Sequence, residues 1–413
     1  MKKVIALLLL ISLLLSGCNS GNGDLMKDVK PSDQRDGLIT LEEYEEGPFT
    51  GTVWDNALVA DFGIRLFQKS FREEQNTLIS PMSVLTALAM TANGAEGETL
   101  AQMETVLGQS RDALNSWYKY GTAYDDELLH SANAIWFRED VSVEEAFLQT
   151  NGDYFGAGAY RAPFDDTTVS EINRFVEAHT GGMIPEVLRE IPEESVMYLV
   201  NALALDAKWE EKYTGGQVHP ATFTKTDGTE QDMELMWSEE SLYYENDLCT
   251  GFQKPYVSKD RLAFVAVLPK EGVTMEDLLA GLEDMGLQQF LASCQRENVM
   301  AALPKFEAQS DVQMGEVLMS MGMTDAFDSA LADFSGLGTS SGGNIYLSHV
   351  LHKTVISVAE KGTKAGAATV VAAAEEAAME EVKQVILNRP FLYMIVDTSS
   401  NTPIFMGTLM GIQ

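Results

Sequence analysis

Apolar residues recur with two different periods along this chain, and together they predict a mixture of helices and strands. The segment that begins at Asn76, NTLISPMSVL, places Ser80 as a helix N-cap and Pro81 at the first helical position. The apolar residues that follow recur at helical spacing, and Asn93 and Gly94 supply a stop signal. We therefore predict a buried helix that begins at Pro81 and ends near Asn93.

Three other segments are continuous apolar runs rich in β-prone residues. They are ANAIWF (132–137), YLVNALA (198–204) and LAFVAVL (262–268). Runs of this length and composition are typical of central strands. Helices and strands alternate irregularly, which favours a mixed α+β fold over a doubly wound parallel sheet.

The N-terminus has the pattern of a secretory signal. Two lysines precede an apolar run from Val4 to Leu15, which is too short to span a bilayer. Small residues directly before Cys18 resemble the lipobox of bacterial lipoproteins. That resemblance implies removal of residues 1–17 and lipidation of Cys18, which would anchor the protein to a membrane at the bacterial cell surface or periplasmic face. The alternative is an ordinary signal peptide followed by an unrelated cysteine.

Composition divides the rest of the chain into two parts. Residues 18–49 are polar and acidic with little periodicity, which predicts a flexible tether behind the lipidated cysteine, although the acidic segment 41–47 could pack on the domain instead. Residues 50–413 contain no second linker and no solenoid repeat. With 45% hydrophobic residues overall, the chain has ample material for one large core.

The charge balance narrows the choice of partners, and the cysteine count bears on whether the fold depends on a disulfide. A formal net charge of -34 argues against binding to nucleic acid, anionic lipid headgroups or sulfated polysaccharide. We therefore expect no nucleic-acid partner, and we expect partner proteins that are neutral or basic. We also expect the protein to be a monomer. Apart from Cys18 only Cys249 and Cys294 remain, so one disulfide could form but the fold does not require it.

No enzyme motif stands out in the sequence. None of the five histidines forms HExxH or another metal-binding spacing, and His349 and His352 lie three residues apart in a β-prone run, which places them on opposite faces. There is no GxSxG elbow, Walker loop or dinucleotide fingerprint. We expect no catalytic site, no cofactor and no metal.

The run of small residues from Glu360 to Thr369, EKGTKAGAAT, has the pattern of a segment that can become a strand. Because side chains alternate along a strand, Thr363, Ala365, Ala367 and Thr369 share one face and are all small enough to be buried. Lys364, the only lysine that follows Gly362 in this run, falls on the opposite face. An alanine-rich helix is the competing interpretation, since residues 372–381 are strong helix formers.

The order Glu, Lys, Gly, Thr followed by an alanine-rich run resembles the hinge of inhibitory serpins. The remaining chain resembles the same family, in the family's order, in the blocks NTLISPMSVLTALAM with GAEGET, ANAIWF, VNALALDAKWE, LPKFEAQSDV with GMTDAFD and ADFSGL, SHVLHKTVISVAEKGT and NRPFLYMIVDTSSNTPIFMG. These blocks cover nearly all of 50–411. Several blocks at consistent spacing are far more specific than one motif, so the chain is identified as a member of the serpin family.

The resemblance implies a fold of three β-sheets and about nine helices, with a central five-stranded sheet that can accept the reactive loop (about 360–387) as an extra strand. It implies a suicide-substrate inhibitor of serine, or cysteine, endopeptidases, and not an enzyme. Glu360, Gly362, Thr363, Ala365, Ala367 and Thr369 would form the hinge. A buried hydrogen-bond network beneath the opening sheet would contain Ser80, Ser83, Asn201 and His352. Trp209 and Glu360 match positions where the loop enters.

The attacked bond follows from the family's spacing between hinge and cleavage site. Counting from Gly362 places it between Glu376 and Ala377, whereas counting back from the NRPF block selects Met379; Ala374 is a further alternative. A glutamate would suit a glutamyl-specific protease, and the small residues nearby would suit an elastase-like or subtilisin-like pocket.

Two other functions remain as alternatives. A non-inhibitory serpin would act as a surface binding or chaperone-like protein, and its hinge would usually carry bulky or charged inward residues. The small residues at Thr363, Ala365, Ala367 and Thr369 argue against it. An unrelated solute-binding lipoprotein would not explain the family blocks.

Overall fold

The computed structural model describes residues 23–26, 29, 55–121, 128–155, 157–193, 195–258, 261–363 and 382–412. Within these ranges the chain forms nine α-helices and three hydrogen-bonded sheets of nine, seven and two strands. The expected α+β class, with three sheets and about nine helices, is confirmed.

The helices are α1 (Asn56–Ser70), α2 (Pro81–Ala92), α3 (Gly97–Leu107), α4 (Arg111–Gly121), α5 (Glu145–Phe155), α6 (Asp166–His179), α7 (Met275–Met285), α8 (Leu287–Ala292) and α9 (Met314–Ser320). The first nine strands are β1 (Thr77–Ile79), β2 (Leu129–Arg138), β3 (Val141–Val143), β4 (Gly158–Ala162), β5 (Met197–Leu205), β6 (Ala207–Lys208), β7 (Val218–Thr224), β8 (Glu230–Glu245) and β9 (Cys249–Pro255). The others are β10 (Leu262–Pro269), β11 (Gln295–Pro304), β12 (Phe306–Gln313), β13 (Gly338–Ser340), β14 (His349–Ala359), β15 (Gly362–Thr363), β16 (Lys383–Ile386), β17 (Phe391–Asp397) and β18 (Thr402–Leu409).

Helix α2 begins and ends where the sequence pattern predicts. Ser80 is its N-cap, with Oγ accepting a hydrogen bond from the Ser83 N–H, and Pro81 is the first helical residue. All residues of α2 are buried. A helix that is apolar on every side is stable only inside the core, and α2 lies between β5 of one sheet and β18 of another.

The central sheet has five principal strands in the order β4, β2, β5, β14, β12. The three predicted strands, 132–137, 198–204 and 262–268, lie within β2, β5 and β10. Every residue of β5 is buried, because α2 contacts one face of the sheet and α6 covers the other. Strands buried on both faces are expected to be continuously apolar, which explains the YLVNALA run.

Two short strands, β6 and β15, occupy one end of the central sheet. β5 and β14 are parallel neighbours from His349 to Val355, and beyond Leu205 the chain diverges into β6. We call the end of the sheet at Leu205 the upper pole and the end at Met197, where β5 begins, the lower pole. The gap between β6 and β14 therefore lies at the upper pole.

Part of the predicted tether lies against the domain. Gly23 and Leu25 form hydrogen bonds with β4 at the edge of the central sheet, and Asp24 forms an antiparallel bridge with Tyr160 of β4. Met26 and Val29 pack over Gly152 of α5. These five residues are thus not a free tether. The other residues of 18–49, including Cys18, lie outside the described residues, and the domain boundaries stay a prediction.

The structure also shows the state of two cysteines and the length of the described helices. Cys249 and Cys294 are both free thiols, so the candidate disulfide is not formed. Among the described helices, none is long and apolar enough to cross a membrane.

Candidate functional site

The upper pole of the central sheet contains a strand of two residues, β15, inserted between β14 and β6. Gly362 lies opposite Ala359 on one side and Lys208 on the other, and Thr363 lies opposite Val358 and Ala207. Both pairings are antiparallel. The chain turns back after β14 and enters the gap where β5 has diverged. Gly362 and Thr363 of the hinge are therefore already members of the sheet.

Gly362 occupies a position that only glycine fits. Its φ is +149°, and a Cβ there would lie 2.1 Å from the carbonyl oxygen of Ala207. Such a contact is far inside van der Waals distance, and the backbone region is one that L side chains rarely adopt. The glycine of the EKGT motif is therefore required by close approach of the backbone to β6.

Thr363 faces the core, as the alternation along the hinge predicts. It is 1% exposed, and its Oγ1 lies 2.6 Å from the hydroxyl oxygen of Tyr256. Burial raises the pKa of Tyr256 above its ordinary value, so this hydroxyl stays protonated. A small hydrogen-bonding side chain is thus accommodated where a larger one would meet the tyrosine.

Trp209 lies beneath the turn that leads into β15. Its ring stacks on Tyr256, with centroids 4.4 Å apart and planes inclined by 11°. The indole Nε1–H donates to the Ala359 carbonyl oxygen at 2.8 Å, and the Trp209 backbone N–H donates to the Lys361 carbonyl oxygen at 3.0 Å. Trp209 therefore lies where the family resemblance places it, at the entry of the loop.

Three ion pairs surround this entry point. Glu360 contacts Lys305, which also contacts Glu234. Burial acts to raise the pKa of Glu360, but the hydrogen bonds from Lys305 and from its own backbone, together with the charges of Lys305 and Lys361, outweigh burial and leave the pKa below its ordinary value. Lys254 is 2% exposed and pairs with Glu240 at 2.6 Å. A buried ammonium requires such a partner, and here it also lies 4.5 Å from the centre of the Tyr213 ring.

Halfway down the sheet, the four predicted network residues meet where β5, β14 and α2 converge. The Ser80 backbone N–H donates to His352 Nε2 at 3.0 Å, and the Ser80 hydroxyl donates to the Ile404 carbonyl oxygen at 2.7 Å. His352 lies directly beside Asn201 in the parallel ladder. Asn201 Nδ2 donates to Asn133 Oδ1 on the next strand.

This network is incomplete among the described residues. His352 Nδ1, Asn201 Oδ1 and Ser83 Oγ are buried atoms without a hydrogen-bond partner there. Because His352 Nε2 accepts from Ser80, Nδ1 carries the proton of the neutral imidazole. Burial lowers the pKa of His352 to about 3, which keeps the ring neutral. The interior therefore contains a donor and an acceptor with unmet hydrogen-bonding capacity.

Other predicted site residues lie outside the described residues. These are Ala365, Ala367 and Thr369 of the hinge, the reactive-bond candidates Ala374, Glu376, Ala377 and Met379, and Cys18. The loop's far end is described from Val382, where β16 pairs in parallel with β11 of the nine-stranded sheet. The two ends of the loop are thus rooted in different sheets.

Sequence reasoning missed Tyr256, Lys305 and Lys254. Each is distant in sequence from the hinge, and although Lys305 lies in the family block LPKFEAQSDV, only the fold brings the three residues to the entry point. In the part of the chain that the structure describes, no group of three or more His, Cys, Asp or Glu residues is arranged to hold a metal ion.

Comparison with known proteins agrees with this geometry. The model of the family "Serpin (serine protease inhibitor)" matches residues 57–412. An uncharacterized serpin-like protein of Thermococcus kodakarensis is 30% identical over 100% of this chain and 99% of its own length. The plasma serine protease inhibitor of Bos taurus is 30% identical, covering 81% of this chain and 84% of that protein.

Solved structures agree as well. The thermophilic serpin tengpin in its native state superposes with a TM-score of 0.83 at 44% identity, covering 89% of this chain and 97% of that one. Tengpin in its latent state gives a TM-score of 0.76 at 43% identity, with coverage of 87% and 98%. This chain belongs to the serpin family, whose members are generally protease inhibitors and not enzymes.

Proposed function

We propose that this serpin is a suicide-substrate inhibitor of serine endopeptidases that traps its target by inserting residues 363–373 into the central sheet. The observation that carries the proposal is β15 itself. Gly362 and Thr363 already pair with strands on both sides of the gap, and an extra strand can extend from them only by separating β5 from β14.

The pairing of β15 defines a register for that extension. Continued toward the lower pole, it places Ala365 between Leu205 and Ile356, and Thr369 between Asn201 and His352. Ala373 would lie opposite Met197, the first residue of β5. A bond cleaved after Glu376 would then leave the ester about 10 Å beyond the lower end of the strand.

The same register sorts the inserted side chains between the two faces. The face toward α2 would receive Thr363, Ala365, Ala367, Thr369 and Val371, all of them small or β-branched. Lys364 would instead lie on the α6 face beside Asp206, where opposite charges on neighbouring strands attract. The hinge thus places its charged side chain beside a residue of opposite charge.

Insertion would exchange one parallel ladder for two antiparallel ones. The parallel pairing of β5 with β14 would be lost, and a new antiparallel strand would pair with each of them. Antiparallel pairing is slightly more stable per residue, and the number of ladder hydrogen bonds would increase. This difference supplies the free energy that drives trapping.

The chemistry requires only the target's own catalytic apparatus. The protease serine oxygen attacks the carbonyl carbon of the reactive bond, the C–N bond breaks, and the amine leaves with a proton. The ester that remains is normally hydrolysed by water. Insertion faster than that hydrolysis would carry the protease to the lower pole and deform its active site.

We also propose that the mature protein is held at a bacterial membrane by lipid on Cys18. The lipobox-like Leu-Ser-Gly-Cys sequence supports this. Radiolabelled palmitate incorporated by the wild-type chain and not by Cys18→Ser would support the anchor, and equal labelling of the two would contradict it.

The inhibitory proposal is tested by incubating the soluble domain with pancreatic elastase, subtilisin and a glutamyl endopeptidase. A complex that survives denaturing gels supports trapping, and the mass of the released C-terminal peptide distinguishes Glu376 from Ala374 and Met379. Thr363→Arg should convert the inhibitor into a substrate, whereas Lys364→Gln, on the opposite face, should not. Cleavage without any complex or gain in heat stability would contradict the proposal and favour a non-inhibitory role.

A further inference from the structure

The segment Gly23–Leu25 pairs with the edge strand of the central sheet through a single antiparallel β-bridge. The Leu25 N–H donates to the Ala159 carbonyl oxygen at 2.8 Å, and the Arg161 N–H donates to the Gly23 carbonyl oxygen at 2.7 Å. These two bonds flank the Asp24–Tyr160 bridge, as in an antiparallel ladder. The edge of β4 is therefore paired by the chain's own N-terminal segment.

Side-chain packing reinforces this pairing. Leu25, Met26 and Val29 pack against the core, and Met26 and Val29 lie over Gly152 of α5. A Cβ at Gly152 would be 3.1 Å from Met26 Cε and 3.2 Å from Val29 Cγ1, so this glycine permits the close approach. The Asp24 carboxylate accepts a hydrogen bond from the Met26 N–H at 2.9 Å. We call residues 23–26 and 29 the docking segment.

The contacts of the docking segment shorten the tether between Cys18 and the folded domain. If the chain were free up to α1, the residues from Cys18 to Asp55 could reach about 125 Å when extended. Because the chain is held at Gly23, the reach from Cys18 is only about 17 Å. A long flexible tether thus becomes a short one that leaves from a defined point on the surface.

That point lies at the lower pole. β4 pairs with Ala134–Arg138 of β2, and those residues pair with the first residues of β5, from Met197 to Val200. The hinge enters the sheet at Ala207, about 30 Å farther along the strand direction. The docking segment and the loop entry are therefore at opposite ends of the central sheet.

We propose that the docking segment orients the domain on the bilayer, with the lower pole facing the lipid and the reactive loop directed away from it. The inference rests on the lipid anchor proposed above, and its partner is a bilayer surface. The exposed loop would be open to large proteases.

The test measures the height of each pole above lipid vesicles. The full-length lipidated protein, with Cys294→Ser throughout, is reconstituted in phosphatidylcholine vesicles that contain rhodamine headgroup acceptors. A donor dye is placed at Glu193→Cys, an exposed position near the lower pole, or at Lys212→Cys, an exposed position beside the loop entry. We expect at least twofold higher energy-transfer efficiency from position 193.

Two variants separate docking from anchoring. Leu25→Pro removes the N–H that donates to Ala159 and should abolish the difference between the two positions, whereas Asp24→Asn, which retains an acceptor for the Met26 N–H, should preserve it. Should Leu25→Pro fail to fold, insertion of twenty Gly and Ser residues after Gly21 leaves the domain intact and should reduce the difference by at least half.

The possible results distinguish the proposed orientation from the proposed lipid anchor and from protease trapping. Equal transfer from both positions in protein that floats with the vesicles would overturn the orientation and leave the anchor in place. Protein that does not float would refute the anchor and the orientation together. Neither result bears on trapping, which the soluble domain tests separately.

Discussion

The hydroxyl oxygens of Tyr256 and Thr363 lie 2.6 Å apart in a contact where both side chains are 1% exposed. Thr363 is the last described residue of the hinge, and Tyr256 follows β9 of the nine-stranded sheet. The bond thus joins the second inserted residue of the loop to the segment that follows a strand of a different sheet. This hydrogen bond stabilises the start of the extra strand before any protease has cleaved the loop.

We expect Tyr256→Phe to leave the Thr363 hydroxyl buried without a partner, at a cost of about 1–3 kcal/mol. Thr363→Val should cost a similar amount because it leaves the tyrosine hydroxyl unpaired. The double variant removes both groups, so the two effects should not add, and the coupling should be about 1 kcal/mol. Urea-unfolding midpoints of the four proteins measure it. Additive effects would mean that the two hydroxyls do not interact.

Gly362→Ala should expel β15 from the gap. Its Cβ would lie 2.1 Å from the Ala207 carbonyl oxygen at a φ of +149°, so neither side chain nor backbone can relax in place. We expect amide hydrogen exchange in residues 359–363 to accelerate at least tenfold. Gly343→Ala is a matched control, because φ there is +130° but no atom of the described residues lies within 4 Å of the added carbon. Unchanged exchange in Gly362→Ala would contradict the described pairing.

The buried His352 should make the domain sensitive to acid. Its folded-state pKa, about 3, lies below the ordinary value of 6.5, so the unfolded chain binds the additional proton between these two pH values. Stability from this group is therefore complete above pH 6.5 and is lost as the pH falls toward 3, by up to about 4 kcal/mol. Urea titrations of wild type and His352→Asn between pH 7 and 4 measure it. Parallel curves would show that His352 does not contribute.

Thr369 should complete the network beneath the sheet in the cleaved, inserted form. The register derived from β15 places it between Asn201 and His352, where one hydroxyl could accept from His352 Nδ1–H and donate to Asn201 Oδ1. Thr369→Val should leave the uncleaved protein unchanged but destabilise the cleaved form by about 1–3 kcal/mol, and Thr369→Ser should restore it. Denaturation of cleaved protein tests this. Equal loss in the uncleaved form would contradict the register.

Much of this site was predictable because it depends on local pattern. Ser80, Pro81 and the apolar residues after them define a capped, buried helix from sequence alone, and α2 confirms it. The alternation of small residues placed Thr363 on the buried face, as observed. Trp209 and the four network residues came from the family resemblance, and the structure brings the four together where β5, β14 and α2 meet.

Other features were not predictable because they depend on contacts between distant segments. Nothing near Tyr256 or Lys305 in sequence indicates that either faces the hinge. The docking segment was expected to be a flexible tether, since polar residues surround Leu25, Met26 and Val29. Its three apolar side chains become informative only when β4 offers an unpaired edge and Gly152 leaves space above α5.

By itself, the sequence determined the position of one capped, buried helix and of three central strands, which residues of the hinge can be buried, and to which family the chain belongs. These properties follow from side-chain size, periodicity and capping, which act over a few residues. Only the tertiary structure decided that β15 fills a gap between β14 and β6, that a buried donor and acceptor below it have no hydrogen-bond partner among the described residues, and that residues 23–26 pair with the sheet edge at the lower pole. Such properties depend on strand register and close packing, which arise when segments far apart in the chain meet.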